Sequence, residues 1–154
     1  MEALEKTRKI ADYQFGKDAG EALIPHYAKI TFSRTTGRIR HIYSKGKLLA
    51  TLRPTDGMLS LTVNGAKRLN QEARFVGMMV EVSNDAAPFI AKGKSVFAKH
   101  VIQASPEIRP REEAIVLNED AGVLAVGKAA LTGREMMAFK RGIAVRVRRG
   151  TDEE

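Results

Sequence analysis

The chain has 154 residues, 44% of them apolar, enough to pack one ordinary domain or two small ones, which excludes a disordered protein. It has no cysteine, which excludes disulfides, thiolate zinc sites and a cysteine nucleophile. No run reaches about 18 uninterrupted apolar residues and the opening MEALEKTRKIADYQ lacks the apolar centre of a secretory signal, so a cytoplasmic protein without a membrane span is expected. The net charge of +8 is unevenly spread. Residues 34–47, 92–99 and 140–149 hold 13 of the 26 Lys and Arg and no Asp or Glu, so the remainder sets 13 cations against 18 acids. A single basic run is usually a solvated face, but segregation of this kind suits a polyanionic partner.

Taken in order, residues 2–12 pattern as a weak helix, with Leu4 and Ala11 or Ala3 and Ile10 on one side, and a second short helix around Lys17 to Leu23 ends at Pro25. From Ala28 the pattern becomes a meander. Ile30 and Phe32 alternate with polar neighbours, Thr35-Thr36-Gly37 turns, Arg38 to Tyr43 returns, Gly46 turns again, and Leu48 to Leu52 makes a third strand. Arg53-Pro54-Thr55-Asp56-Gly57 is a turn by its chemistry, and Met58 to Val63 is a fourth strand with Leu59, Leu61 and Val63 on one face. Gly65 to Arg74 then has helical spacing, with Ala66, Leu69 and Ala73 inward, and Gly77 marks a boundary.

Beyond it, Met78, Val80 and Val82 alternate as a strand, and Asn84 or Asp85 is placed to cap a short helix that carries Phe89 and Ile90. Pro88 fits only near the start of that helix, and Gly93 is its stop. The loop Lys92-Gly93-Lys94-Ser95 is expected to expose backbone donors beside two ammonium groups, with Lys99 on the following strand, a cradle for an anion. That strand runs from Val96 to Ser105. Glu113 to Leu117 and Val123 to Val126 follow, separated by a hairpin loop, and Thr132 with Glu135 has capping-box spacing for a helix over Gly133 to Phe139. The last strand, Ile143 to Arg148, sets Ile143, Val145 and Val147 inward and Arg146 and Arg148 on the other face.

The segment VSNDAAPFIAKGKSVFAKHV resembles the first strand, first helix and glycine loop of the PUA domain, the RNA-binding module named after pseudouridine synthases and archaeosine transglycosylases. AGVLAVGKAALTGREMMAFKRGIAVRVRRG is similar to its closing strands and second helix. One departure is His100, where many relatives carry glycine. Upstream, ADYQFG through HIYSKGKLLATLRPTDGMLSLTVNGAKRL resembles the segment that precedes the PUA domain in archaeosine tRNA-guanine transglycosylases, which implies that it lies beside the PUA module and helps it hold tRNA. The catalytic barrel and zinc-binding cysteines of those enzymes have no counterpart here. The resemblance therefore implies a non-catalytic accessory chain with no cofactor and no metal.

The expected architecture is α+β: an antiparallel sheet with helices over 1–76, a small mixed β-barrel with two short helices over 77–150, and a loose acidic tail over 151–154. In relatives the glycine loop and the final strand lie together and contact RNA. The expected RNA-binding residues are thus Lys92, Gly93, Lys94, Ser95 and Lys99 with Arg146, Arg148 and Arg149. Arg34, Arg38, Arg40, Lys45 and Lys47 form a secondary basic candidate in the first half. Aromatics are sparse at 6%, with no tryptophan, which favours gripping the backbone of a structured RNA over stacking on single strands. The expected partner is RNA, with tRNA implied by the resemblance. Two alternatives remain: an accessory subunit of a separately encoded tRNA-modifying enzyme, and a basic module that docks an acidic protein. His26, His41 and His100 lack metal-ligand spacing, Asp56 and Asp85 are explained by a turn and a cap, and the six methionines read as core filler.

Overall fold

The computed structural model describes residues 2–71 and 76–153 and divides into two compact units, Met1–Phe75 and Val76–Glu154. The first begins with α1 (Glu2–Phe15), whose buried face is Thr7, Ala11 and Phe15, spaced four apart; of the pairings read from the sequence Ala11 is buried, while Ala3, Leu4 and Ile10 are half-buried. α2 (Ala19–Leu23) lies against it because Gly20 has no side chain: a Cβ there would stand 2.3 Å from the Arg8 carbonyl oxygen. Asp12 accepts the Gly20 N–H at 2.7 Å, and Arg8 donates twice to the Ile24 carbonyl, at 2.7 and 2.9 Å.

An antiparallel meander follows, with β1 (Lys29–Phe32), β2 (Ile39–Ser44), β3 (Lys47–Leu52) and β4 (Leu59–Leu61) paired in sequence order. Lys45 and Gly46, at φ 50 and 81, make the two-residue hairpin turn between β2 and β3; both positive φ values suit the right-handed twist of the flanking strands. Val63, expected in the fourth strand, is instead the first residue of α3 (Val63–Asn70). Thr62 ends the strand by capping that helix, accepting the Gly65 N–H at 3.1 Å while its hydroxyl donates to the Leu48 carbonyl at 2.6 Å. Leu23, Ile24, Ile42, Leu49, Leu59, Leu61 and Leu69 are buried in this unit. The expected helical residues Ala73 and Arg74 lie outside the described residues.

The second unit contains β5 (Met79–Val82), α4 (Ala87–Ala91), β6 (Val96–Phe97), β7 (Val101–Ala104), β8 (Glu113–Leu117), β9 (Val123–Ala129), α5 (Gly133–Ala138) and β10 (Ile143–Gly150). The sheet order is β6-β10-β9-β8-β5-β7, antiparallel except for the parallel pair β5–β8. The single strand expected over Val96 to Ser105 is two strands broken by a 3-10 turn at Ala98–His100. The break has a geometric cause: β6 pairs with β10 and β7 with β5, so the chain must change partners within three residues. These are the two edges of the sheet, and joining them by so short a link curls it into a nearly closed barrel. Val80, Val82, Ile90, Val96, Val116, Met136 and Val145 belong to its core.

Thr132 and Glu135 form the expected capping box, with Glu135 N–H donating to Thr132 Oγ1 at 3.0 Å and Thr132 N–H to Glu135 Oε1 at 2.9 Å. The other expected cap is absent. Ala86 precedes α4 without a side-chain bond, and the Asn84 N–H donates to Glu119 Oε2 at 2.8 Å. Of the methionines, Met78 and Met136 are buried, but Met137 is 49% exposed and fills no core. Among the described residues no helix is long and apolar enough to cross a membrane.

Candidate nucleic-acid interface

The glycine loop follows from how α4 ends. Gly93 takes φ 101, a value that residues with a Cβ rarely adopt, and this turns the chain back over the last helical turn. The N–H groups of Lys92 and Lys94 donate to the Phe89 carbonyl, at 3.2 and 3.1 Å, and that of Gly93 to the Ile90 carbonyl at 2.9 Å. The expected cradle of backbone donors is therefore largely spent: the same geometry that makes the loop consumes the N–H groups of Lys92, Gly93 and Lys94. What the loop offers outward is the side chains of Lys92 and Lys94, both exposed.

This loop and the end of β10 are side by side. Ser95 Oγ accepts the Val147 N–H at 3.4 Å, which makes this half-buried serine a clip onto β10. At Gly150 a Cβ would stand 2.2 Å from the Ala91 carbonyl oxygen and 2.8 Å from the Gly93 nitrogen, so the absence of a side chain is what allows the strand to pass so close. Arg146 and Arg149 are exposed on β10. The register shifts between Val147 and Arg149, a bulge that leaves Arg148 and Arg149 both exposed where strict alternation would bury one of them.

Arg148 has an internal partner. Its Nη2 donates to Glu113 Oε1 at 2.6 Å and its Nη1 to Oε2 at 3.0 Å, and Glu113 on β8 is only 3% exposed. This two-pronged bond neutralises a carboxylate that could not otherwise be buried. Sequence reasoning did not anticipate Glu113, nor Lys128, which is exposed and lies directly opposite both Arg146 and Glu113 in register. The signal for Lys128 was present: it is the one charge in the run from Val123 to Ala129, but β9 was expected to stop at Val126. Lys99 does not join this group. It sits in the 3-10 turn, not on a strand, and the neighbouring Ala98 N–H donates to the Gly142 carbonyl at 2.9 Å. That is the opposite end of β10, roughly 25 Å of strand from Gly150 at about 3.3 Å per residue.

The secondary basic set of the first unit also divides. Arg34 and Arg38 lie in the β1–β2 connection with Arg40 just inside β2, whereas Lys45 is in the turn at the other end of β2 and Lys47 opens β3. Arg38 and Arg40 line an open groove of about 1110 Å³ together with Lys6, Arg53 and Phe32. At the other end, the Lys45 ammonium stands 5.5 Å from the centre of the Tyr27 ring. A hydrogen bond with Ser44 holds the Tyr27 hydroxyl below the usual tyrosine range; desolvation, the next largest effect, opposes it, and the nearby Lys45 and Arg68 charges add to the lowering. His41 meets Tyr43 edge-on at 6.1 Å, as expected for a packed histidine. Asp56 serves its turn, accepting the Met58 N–H at 2.9 Å and pairing with Arg53 at 3.0 Å. Among the described residues no group of three His, Asp or Glu side chains is placed to hold a metal ion.

Comparison with known proteins divides the chain at the same point as its geometry. Residues 5–74 match the patch-forming domain C2 of tRNA-guanine transglycosylase, and residues 78–151 match the PUA domain. The chain is 45% identical over 152 residues to the tRNA-guanine(15) transglycosylase of Thermococcus kodakarensis, covering 99% of this chain and 26% of that enzyme. It is 43% identical over 150 residues to the enzyme of Methanothermobacter thermautotrophicus, covering 97% of this chain and 23% of the relative. In both, the likeness is to the C-terminal region, and the chain spans about a quarter of the relatives' length. Among solved structures, a hypothetical protein of Pyrococcus horikoshii superposes with a TM-score of 0.78 at 23% identity, covering 99% of this chain and 92% of that one, which speaks for the fold alone.

Proposed function

Because this chain is a PUA-domain protein that carries the C2 and PUA domains of the transglycosylase C-terminal region, we propose that it is a non-catalytic RNA-binding protein that grips the backbone of structured RNA, most simply tRNA. The observation that carries the reading is the side-by-side lie of the glycine loop and the end of β10 in the second unit, with Lys92, Lys94, Arg146 and Arg149 exposed. In this reading the two arginines hold phosphates with paired N–H groups, while Lys92, Lys94 and Lys128 act as point charges. Arg148 is a positioning residue that keeps Glu113 neutralised beneath them. Recognition is of backbone shape in this reading, since the side chains assigned to the contact are all cationic.

A second reading is favoured by one specific observation. Identity above 40% joins this chain to a region of enzymes about four times as long, so the same surface would serve as the tRNA-holding part of a separately encoded transglycosylase. A gel-shift titration with folded tRNA, unstructured RNA and duplex DNA tests the binding, with tightest binding expected for folded tRNA. Equal binding to all three and to heparin would refute it in favour of a general polyanion module. A gain in tRNA affinity of a transglycosylase catalytic chain on adding this protein would single out the accessory role.

A further inference from the structure

The residues after β10 were expected to be loose, but Thr151, Asp152 and Glu153 form a fastened turn. Thr151 N–H donates to the Leu124 carbonyl at 2.8 Å, Asp152 N–H to the Ala91 carbonyl at 2.8 Å, and Glu153 N–H to the Gly150 carbonyl at 3.1 Å. The turn carries the Glu153 side chain back over the glycine loop. Its Oε1 accepts the Gly150 N–H at 2.7 Å, and a Cβ built on Gly93 would stand 2.7 Å from both the carboxyl carbon and Oε1. The carboxylate thus covers the face of the loop that glycine leaves bare. Lys92 and Lys94 flank Gly93 in sequence, and Arg149 precedes Gly150.

We infer that Glu153 is an internal competitor for the RNA backbone at this loop. A carboxylate and a phosphate are both anionic acceptors, they suit the same N–H donor and the same cations, and two of them cannot share the spot without repulsion. The inference rests on the RNA-binding reading above. An RNA phosphate that reaches the loop displaces Glu153 by side-chain rotation, while the backbone bonds to Leu124 and Ala91 keep the turn in place. The Gly150 N–H released in this exchange becomes a donor for the phosphate, replacing those that the helix end has used.

The test is the affinity of the full chain for folded tRNA at fixed salt, measured by fluorescence anisotropy for wild type, Glu153→Gln, Glu153→Ala and Asp152→Asn. Glu153→Gln removes the charge but keeps an acceptor for Gly150, and Asp152→Asn makes the same change in net charge one residue away. Both Glu153 variants should bind about five-fold more tightly, the ratio for one close like-charge contact removed in water, and Asp152→Asn less than about two-fold. The Gly150 amide resonance should shift when tRNA is added to the wild type. Glu153 variants no tighter than wild type overturn the inference while leaving RNA binding intact, as does an Asp152→Asn gain equal to that of Glu153→Gln, which would mark a long-range charge effect. If neither wild type nor any variant binds tRNA at low salt, the RNA-binding reading itself fails. Should Glu153→Ala not fold, Glu153→Gln decides.

Discussion

Arg148 reaches across β9 to clasp Glu113 on β8, with nitrogen–oxygen distances of 2.6 and 3.0 Å. The bulge in β10 is therefore tied to a carboxylate that has almost no contact with water. Truncating Arg148 to alanine takes two charged donors from that buried carboxylate, and should lower stability by about 3 kcal/mol in urea denaturation. Glu113→Gln, which removes the charge while keeping the shape, should cost less. Equal and negligible losses in both would show that the pair does not hold the strand.

Arg146 and Lys94 carry the phosphate-gripping proposal. Each reversal, Arg146→Glu and Lys94→Glu, removes a charged contact and adds a repulsive one, so each should weaken folded-tRNA binding by about 1.5 kcal/mol or more. Gel-shift titration of folded variants reads this directly. Unchanged binding in both would defeat the site assignment.

Lys128 belongs to the same row as Arg146 by register. Lys128→Glu should therefore weaken tRNA binding to a similar degree, although its neighbours along the chain are apolar. If about six phosphates are engaged, log affinity should fall with log salt at a slope on the order of −5, and each lost contact should reduce the slope by about 1. A salt-independent affinity would contradict a backbone-gripping surface.

Gly150 sets how closely β10 approaches the loop. Gly150→Ala would drive a methyl group into the Ala91 carbonyl and the Gly93 nitrogen, both backbone atoms with little room to yield. A loss of about 2 kcal/mol in stability is expected, with weaker tRNA binding as the loop and strand are pushed apart. Wild-type stability in this variant would mean the contact is looser than the distances indicate.

Much of the architecture was legible in the chain because its signals are local. The capping box at Thr132 and Glu135, the stop at Gly93 and the hairpin at Gly46 each depend on a few adjacent residues, and all three form as their chemistry requires. The errors share a cause. Val63 alternates correctly for a strand, yet Thr62 accepts the Gly65 N–H and starts the helix at Val63, two residues before the expected Gly65. Val96 to Ser105 has strand composition throughout, but its pairing partner changes midway.

By itself the sequence determined most of the element types and their order, and that positive charge is gathered into a few runs. Tertiary structure decided which of those charges act outward. Arg148 was turned to Glu113 by a bulge and a cross-strand register, Lys99 was carried to the far end of β10, Lys128 was brought beside Arg146, and Glu153 was folded over Gly93. Element type follows from φ preferences and apolar spacing within a few residues, whereas the partner of a charge depends on which strand lies opposite, and that is settled only when the sheet closes.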